Sequence, residues 1–171
     1  GTLTNSDGAD PLDYSAVMEN PAEFYMTATD AATGRAAYFS KYDIIRDDYR
    51  TVMATCALPG FCRPVKVGEH FYYDGGVADS IPLHHAIEQG CTKMVVILSN
   101  PRDFVKKPEA HRPLYKHMLH KYPKTIQSID NRHINYQASI DLACRLEKEG
   151  YVFIFAPSRH MPLSTFSKDA A

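Results

Sequence analysis

The chain of 171 residues contains no tryptophan, no CxxC pair and no excess of charge of either sign. Nineteen Lys and Arg stand against twenty Asp and Glu, so the composition indicates neither a nucleic-acid footprint nor a polybasic membrane patch. The long apolar runs, residues 94–98 and 151–156, are far shorter than the ~18 residues of a transmembrane helix. With 44% hydrophobic and 23% charged residues, the composition is that of a globular protein and argues against disorder, collagen and coiled coil.

The four cysteines are Cys56, Cys62, Cys91 and Cys144. Because their spacing is that of no redox or zinc motif, we expect four buried or half-buried thiols, with a Cys56–Cys62 disulfide as the alternative. No secretory signal peptide is visible, and the sequence begins with Gly rather than Met. The missing signal peptide says little if the natural N-terminus lies upstream of Gly1. We expect a cytoplasmic protein, and the basic loop around Lys106 leaves a peripheral membrane contact as an alternative.

Turn residues and apolar spacing predict two hairpins, then helices that alternate with apolar strands. The predicted strands span residues 23–29, 36–40, 64–67, 71–73, 93–99 and 151–156, and the predicted helices span 14–19, 46–58, 82–89 and 125–149. Such alternation argues for an α/β fold with a mainly parallel sheet between helices. We expect the sheet to bury Val95, Ile97, Val152 and Ile154, and the long helix to bury Ile129, Tyr136 and Ile140.

The segment Tyr73-Asp74-Gly75-Gly76-Val77 is the sharpest candidate for chemistry. An Asp that directly follows a short apolar strand lies at the edge of a sheet, where α/β proteins build their sites. Two glycines allow a tight turn and leave the carboxylate unshielded, so that it can accept a proton from a nucleophile. An ordinary Asp-Gly turn is the alternative.

A second segment, residues 54–65, ends a helix with Pro59-Gly60 and continues into Pro64-Val65. Together with Asp74-Gly75-Gly76 and the later Pro82, it resembles the patatin-like phospholipase family over roughly residues 22–100. The resemblance implies a three-layer α/β/α sandwich, incomplete at its N-terminal side, with residues 1–171 as a single domain. Residues 113–166 resemble the C-terminal extension of a bacterial patatin-like subgroup.

The resemblance implies a lipid acyl hydrolase with a Ser-Asp dyad, in which Asp74 is the catalytic base and Gly75 and Gly76 complete the motif. The family's serine lies in a Gly-x-Ser-x-Gly elbow, and this sequence contains none. The nearest candidate, Ser6, lacks the first glycine and a preceding strand. No glycine-rich oxyanion loop is present either, so we expect this chain alone to be inactive.

The expected partner is a lipid or another acyl ester, with no nucleic acid and no cofactor. The missing N-terminal half of the same protein is a further expected partner, with self-association as the alternative. A non-catalytic binding or regulatory module and a thioesterase or acyltransferase of the same mechanism remain alternatives. A metal site would need His117 and His120 with His111 or His133 as a third ligand, and His84-His85 form another pair. Without HExxH spacing we expect no metal.

Overall fold

The computed structural model describes residues 11–110 and 112–159. Its helices are α1 (Tyr14–Glu19), α2 (Arg50–Thr55), α3 (Leu83–Glu88), α4 (Arg112–Met118) and α5 (Pro123–Lys148). Its strands are β1 (Tyr25–Asp30), β2 (Ala36–Ser40), β3 (Val65–Val67), β4 (His70–Asp74), β5 (Met94–Ile97) and β6 (Val152–Phe155). Short 3-10 helices span Lys41–Asp43 and Gly75–Val77. The mixed α/β composition agrees with the sequence-based prediction.

The chain folds into two compact units. Of the described residues, the first unit contains those up to Pro82 together with Lys107–Tyr136, and the second contains Leu83–Lys106 together with those from Gln137 onward. The prediction of one domain with a C-terminal extension stays a prediction.

The first unit contains a four-stranded antiparallel sheet in the order β2-β1-β4-β3. Both predicted hairpins are present, and Gly34 and Gly68 turn them with φ of 68° and 58°. The prediction of a mainly parallel sheet is wrong here, because turns this short can only join antiparallel neighbours. Strand β1 also pairs with β4, and Ala28 lies opposite Asp74.

The second unit contains β5 and β6, which pair in parallel with Met94 opposite Val152. Val152 and Ile154 are buried, as predicted. The prediction is wrong for Val95 and Ile97, whose exposed fractions are 66% and 76%. Both strands are apolar on both faces, but in the described chain only one face of this pair is covered.

Helix α2 begins at Arg50 rather than near residue 46. A β-bridge joins Ile45 to Asp48, and Asp47 has a φ of 60°. A left-handed residue cannot continue a right-handed helix, so the helix starts only after this turn. Tyr49 is buried as its apolar spacing predicted, whereas Met53 is exposed.

The expectation of four buried or half-buried thiols is wrong for three cysteines and holds for Cys144, and the alternative of a Cys56–Cys62 disulfide is wrong as well. Cys56, Cys62 and Cys91 are exposed, Cys144 is half-buried, and all four are free. The shortened helix α2 ends before Cys56, which removes that thiol from the predicted apolar face.

The N-terminal part of α5 lies against the β1–β2 turn of the first unit. The hydroxyl of Thr125 donates to the Ala31 carbonyl at 2.8 Å, and that of Ser128 donates to the Gly34 carbonyl at 2.6 Å. A Cβ at Gly34 would collide with the backbone of Lys124. Ile129 and Ile140 of α5 are buried as predicted, whereas Tyr136 is only half-buried.

Candidate functional site

Asp74 is the last residue of β4 and the N-cap of the following 3-10 helix. Its carboxylate Oδ1 accepts a hydrogen bond from the Gly76 N–H at 2.7 Å. Its own N–H donates to the Ala57 carbonyl at 2.9 Å, and its carbonyl accepts from the Thr29 hydroxyl at 2.8 Å. Asp74 is therefore held from β1 and from the chain after α2, and the two sequence motifs lie together.

The two glycines after Asp74 serve different purposes. Gly75 is buried, and a Cβ there would collide with the Thr27 carbonyl and lie 2.7 Å from the Thr27 Cβ. A Cβ on Gly76 would lie 3.0 Å from Asp74 Oδ1. Only Gly76 therefore leaves room for the carboxylate, and Gly75 instead lets the 3-10 helix approach β1.

Asp74 lies on the wall of a cavity of about 490 Å³ within the first unit. The cavity combines an apolar surface with three charged side chains that reach it. The apolar part is formed by Leu58, Pro59, Gly60, Phe61, Val77, Ala110, Leu114, Tyr115, Met118 and Ile129, and the charged residues are Asp74, Glu109 and Arg132. The sequence pattern predicted that both glycines leave the Asp74 carboxylate unshielded. In the structure Asp74 is half-buried.

Tyr115 contributes a neutral hydroxyl near this cavity. Burial and a hydrogen bond to Asp130, at 2.6 Å from Oδ1, raise the pKa of Tyr115 to about 12. The bidentate partner of Asp130 is Arg112, with contacts of 2.9 and 2.6 Å. Tyr115 therefore stays protonated at neutral pH, and its phenol oxygen is already committed to Asp130.

The remaining predicted site residues are not brought together. Within the described chain no group of three His, Cys, Asp or Glu is arranged to hold a metal. The rings of His117 and His120 are 6.5 Å apart, and His120 Nδ1 lies 3.0 Å from the His117 carbonyl. Ser6 and His111 lie outside the described residues.

Arg102, the arginine of the basic loop near Lys106, is engaged in contacts within the second unit. Arg102 holds Glu147 through contacts of 2.5 and 2.8 Å and also donates to the Ile154 carbonyl. Within residues 11–110 and 112–159, no helix combines the length and the apolar character that crossing a membrane requires.

Sequence reasoning missed Thr29, Glu109 and Arg132. Arg132 follows the buried Ile129 by three residues, so helical spacing already places it beside the apolar face of α5. That position was the available signal. Thr29 and Glu109 reach the site only through packing between distant segments, and no short sequence pattern around them indicates that they belong to it.

Two segments of the chain match family models. Residues 26–87, which carry Asp74, match the Patatin-like phospholipase family. Residues 122–171 match a domain of unknown function, DUF6363. A search of curated proteins finds no match.

The patatin-like resemblance predicted from the sequence is thus confirmed over residues 26–87. For this segment the match supports a relationship to a family of lipid hydrolases. The second match overlaps the expected C-terminal extension. The catalytic role of Asp74 stays a prediction.

Proposed function

We propose that this chain is the base-bearing part of a patatin-like lipid acyl hydrolase, with Asp74 as its general base. One observation carries the proposal. The Asp74 carboxylate lies on the wall of a largely apolar cavity, within the segment that matches patatin-like phospholipases.

In the proposed reaction a serine hydroxyl attacks the ester carbonyl carbon, and its proton passes to the Asp74 carboxylate. The tetrahedral intermediate collapses, and the alcohol leaves with that proton. Water then attacks the acyl-serine and gives a proton to Asp74. The second tetrahedral intermediate collapses, Asp74 returns that proton to the departing serine oxygen, and the carboxylic acid is released. Because the sequence has no Gly-x-Ser-x-Gly elbow, we propose that the serine and the oxyanion amides come from polypeptide outside it.

A carboxylate suits this role because it has no tautomer to be fixed by a third residue. The Gly76 N–H holds Oδ1 at 2.7 Å, so Oδ2 is the oxygen that we assign to proton transfer. Asp74 is half-buried, which keeps its position defined while one side stays open to the cavity.

The cavity is proposed to bind the acyl chain. Its volume of about 490 Å³ lies in the range of small-molecule sites, roughly 300–1,000 Å³. Leu58, Leu114, Met118 and Ile129 provide apolar walls, and each buried methylene of a substrate adds about 0.8 kcal/mol of favourable transfer energy.

The rest of the predicted three-layer sandwich is proposed to cover the open face of the second unit. Val95, Ile97, Phe153 and Phe155 expose 60–76% of their surface on one face of the β5–β6 pair. Neighbouring apolar side chains of this size are rarely left in water. We propose that the missing N-terminal half of the same protein packs there.

The test compares esterase activity between the protein from the complete reading frame, its Asp74→Asn variant, its Asp30→Asn variant and the 171-residue chain alone. Asp30→Asn is the matched control, because Asp30 also ends a strand and accepts a backbone N–H, from Thr33 at 2.8 Å. The substrate is a p-nitrophenyl ester of medium chain length.

We expect Asp74→Asn to lower kcat by about 10²–10⁴-fold, as loss of a general base does, and Asp30→Asn to keep wild-type kcat. The chain alone should hydrolyse nothing and should bind a hydrophobic dye that the complete protein does not bind. Full activity in Asp74→Asn would refute the assignment.

The missing elbow also favours a second candidate, a non-catalytic module that binds acyl groups. In that case the complete protein would bind a fluorescent fatty acid with no ester hydrolysis, and Leu114→Arg would abolish that binding by placing a charge in the cavity wall.

A further inference from the structure

Arg132 reaches the Asp74 site from the segment that matches the domain of unknown function. It lies on α5, and its Nε donates to the Gly76 carbonyl at 2.6 Å. Its Nη1 donates to Glu109 Oε1 at 3.0 Å. The exposed fractions of the Arg132 and Glu109 side chains are 29% and 35%, and both residues line the cavity together with Asp74.

Gly76 connects this arginine to the carboxylate. Its N–H donates to Asp74 Oδ1 at 2.7 Å, and its carbonyl accepts from Arg132 Nε and, at 2.7 Å, from the Ser80 hydroxyl. Ser80 is four residues away in the same turn, whereas Arg132 is 56 residues away. A movement of Gly76 therefore moves the donor that orients the carboxylate, and Arg132 ties that donor to a long helix.

We propose that Arg132 is a positioning residue, which fixes Gly76 and through it the Asp74 carboxylate. The proposal rests on the proposed function, because it assigns Arg132 to the same site. It assigns the segment that matches the domain of unknown function a role, which is to complete the site of the patatin-like segment.

The contacts favour positioning over recognition of a substrate anion. The guanidinium charge is already paired with Glu109, and its Nε–H is already committed to Gly76. Two directed donors from one planar group fix an orientation, and lysine cannot reproduce this geometry. The Gly76 contact therefore requires arginine, whereas recognition of an anion would require only a positive charge.

The test uses the protein from the complete reading frame with Arg132→Lys and Arg132→Gln. Arg102→Lys is the matched control, because Arg102 also bridges a glutamate, Glu147, and a backbone carbonyl, that of Ile154. Arg102 does not line the cavity. The readouts are kcat and KM for the p-nitrophenyl ester, the melting temperature, and hydrogen exchange on peptides that contain Gly76.

We expect both Arg132 variants to lower kcat about 10–100-fold, the effect of a misplacement on the order of 1 Å. KM should stay within about twofold. The Gly76 amide should exchange roughly three- to tenfold faster, as expected for one weakened hydrogen bond. Arg102→Lys should change neither kcat nor exchange at Gly76.

Wild-type kcat in Arg132→Lys, or unchanged exchange at Gly76 in both variants, would overturn the proposal. If Asp74→Asn keeps full activity, or if the complete protein hydrolyses no ester, the proposed function fails. Exchange at Gly76 then decides alone whether Arg132 positions this loop, so the two failures are distinguishable.

Discussion

The two glycines of the Asp-Gly-Gly turn should respond in opposite ways to the same substitution. In Gly75→Ala the new methyl group would collide with the backbone carbonyl of Thr27, in the neighbouring strand β1. Strand β1 lies between β2 and β4, and Thr27 itself pairs with Tyr38 of β2, so this backbone is held in place. Overpacking of this kind costs about 1–3 kcal/mol.

Gly76→Ala meets a different environment. Its Cβ would lie 3.0 Å from Asp74 Oδ1, 3.4 Å from Arg132 Nη2 and 3.8 Å from Ser80 Oγ. All three atoms are the ends of side chains, which can shift by a few tenths of an ångström. Gly76 does not have a positive φ, so alanine is compatible with the backbone, and Gly→Ala at such positions stabilises by about 0.4–1 kcal/mol.

The expected outcome is a separation of stability from activity. For a chain of this size 1 kcal/mol corresponds to roughly 2–4 °C, so Gly75→Ala should lower the melting temperature by about 3–10 °C. Gly76→Ala should raise the melting temperature by about 1–4 °C. It should nevertheless lower kcat about tenfold, because the carboxylate must move. Thermal unfolding of the 171-residue chain by circular dichroism measures the first effect. The ester assay on the same variants of the protein from the complete reading frame measures the second.

The reasoning is refuted if Gly76→Ala is the less stable variant, or if Gly75→Ala melts like the wild type. Gly90→Ala is a useful comparison, because a Cβ there meets nothing within 4 Å but the φ is 86°. Its cost therefore reports backbone strain alone.

Two further predictions concern an acid-labile ion pair and a buried hydroxyl. Hydrogen bonds from Arg102, then from the Ile154 N–H, lower the pKa of Glu147 from its ordinary 4.5 to about 2. A carboxyl group with a lowered pKa stabilises the fold at pH values above its ordinary pKa, so this contribution is lost as pH falls from 4.5 to about 2. In urea unfolding across that range, the free energy of unfolding should fall less steeply with pH for Glu147→Gln than for the wild type. Equal slopes would contradict the assignment. Thr29→Val removes a fully buried hydroxyl that donates to the Asp74 carbonyl and accepts from the Ala78 N–H at 3.2 Å, so we expect a loss of about 1–2 kcal/mol. Thr125→Val, which removes one hydrogen bond to Ala31, is its control and should lose less in the same denaturation assay.

The hairpins and α5 were predictable because their signals are local. Gly34 and Gly68 mark turns that only left-handed residues can make, and α5 repeats apolar side chains every three and four residues. The direction of the sheet was not predictable in the same way. Helix–strand alternation holds for β5 and β6, but it says nothing about β1 and β4, in which Ala28 pairs with the distant Asp74.

The burial of β5 and β6 was predicted correctly for one face and wrongly for the other. Val96 and Ile97 are equally apolar neighbours, yet their exposed fractions are 8% and 76%. Hydrophobicity states which side chains gain from burial, but a cover must be supplied by other segments. The apolar pattern therefore predicted that both faces of the strand pair are buried, and the described residues bury only one of them.

The position of Asp74 illustrates why a motif identifies a site without defining its geometry. The tripeptide is local, but its backbone is bonded by Thr29 from β1, by Ala57 after α2 and by Arg132 from α5. Each of these partners is brought in by packing between distant segments, which no short motif encodes. The orientation of the Asp74 carboxylate is thus a property of the assembled first unit, and the start of α5 belongs to the site as much as the Asp-Gly-Gly turn does.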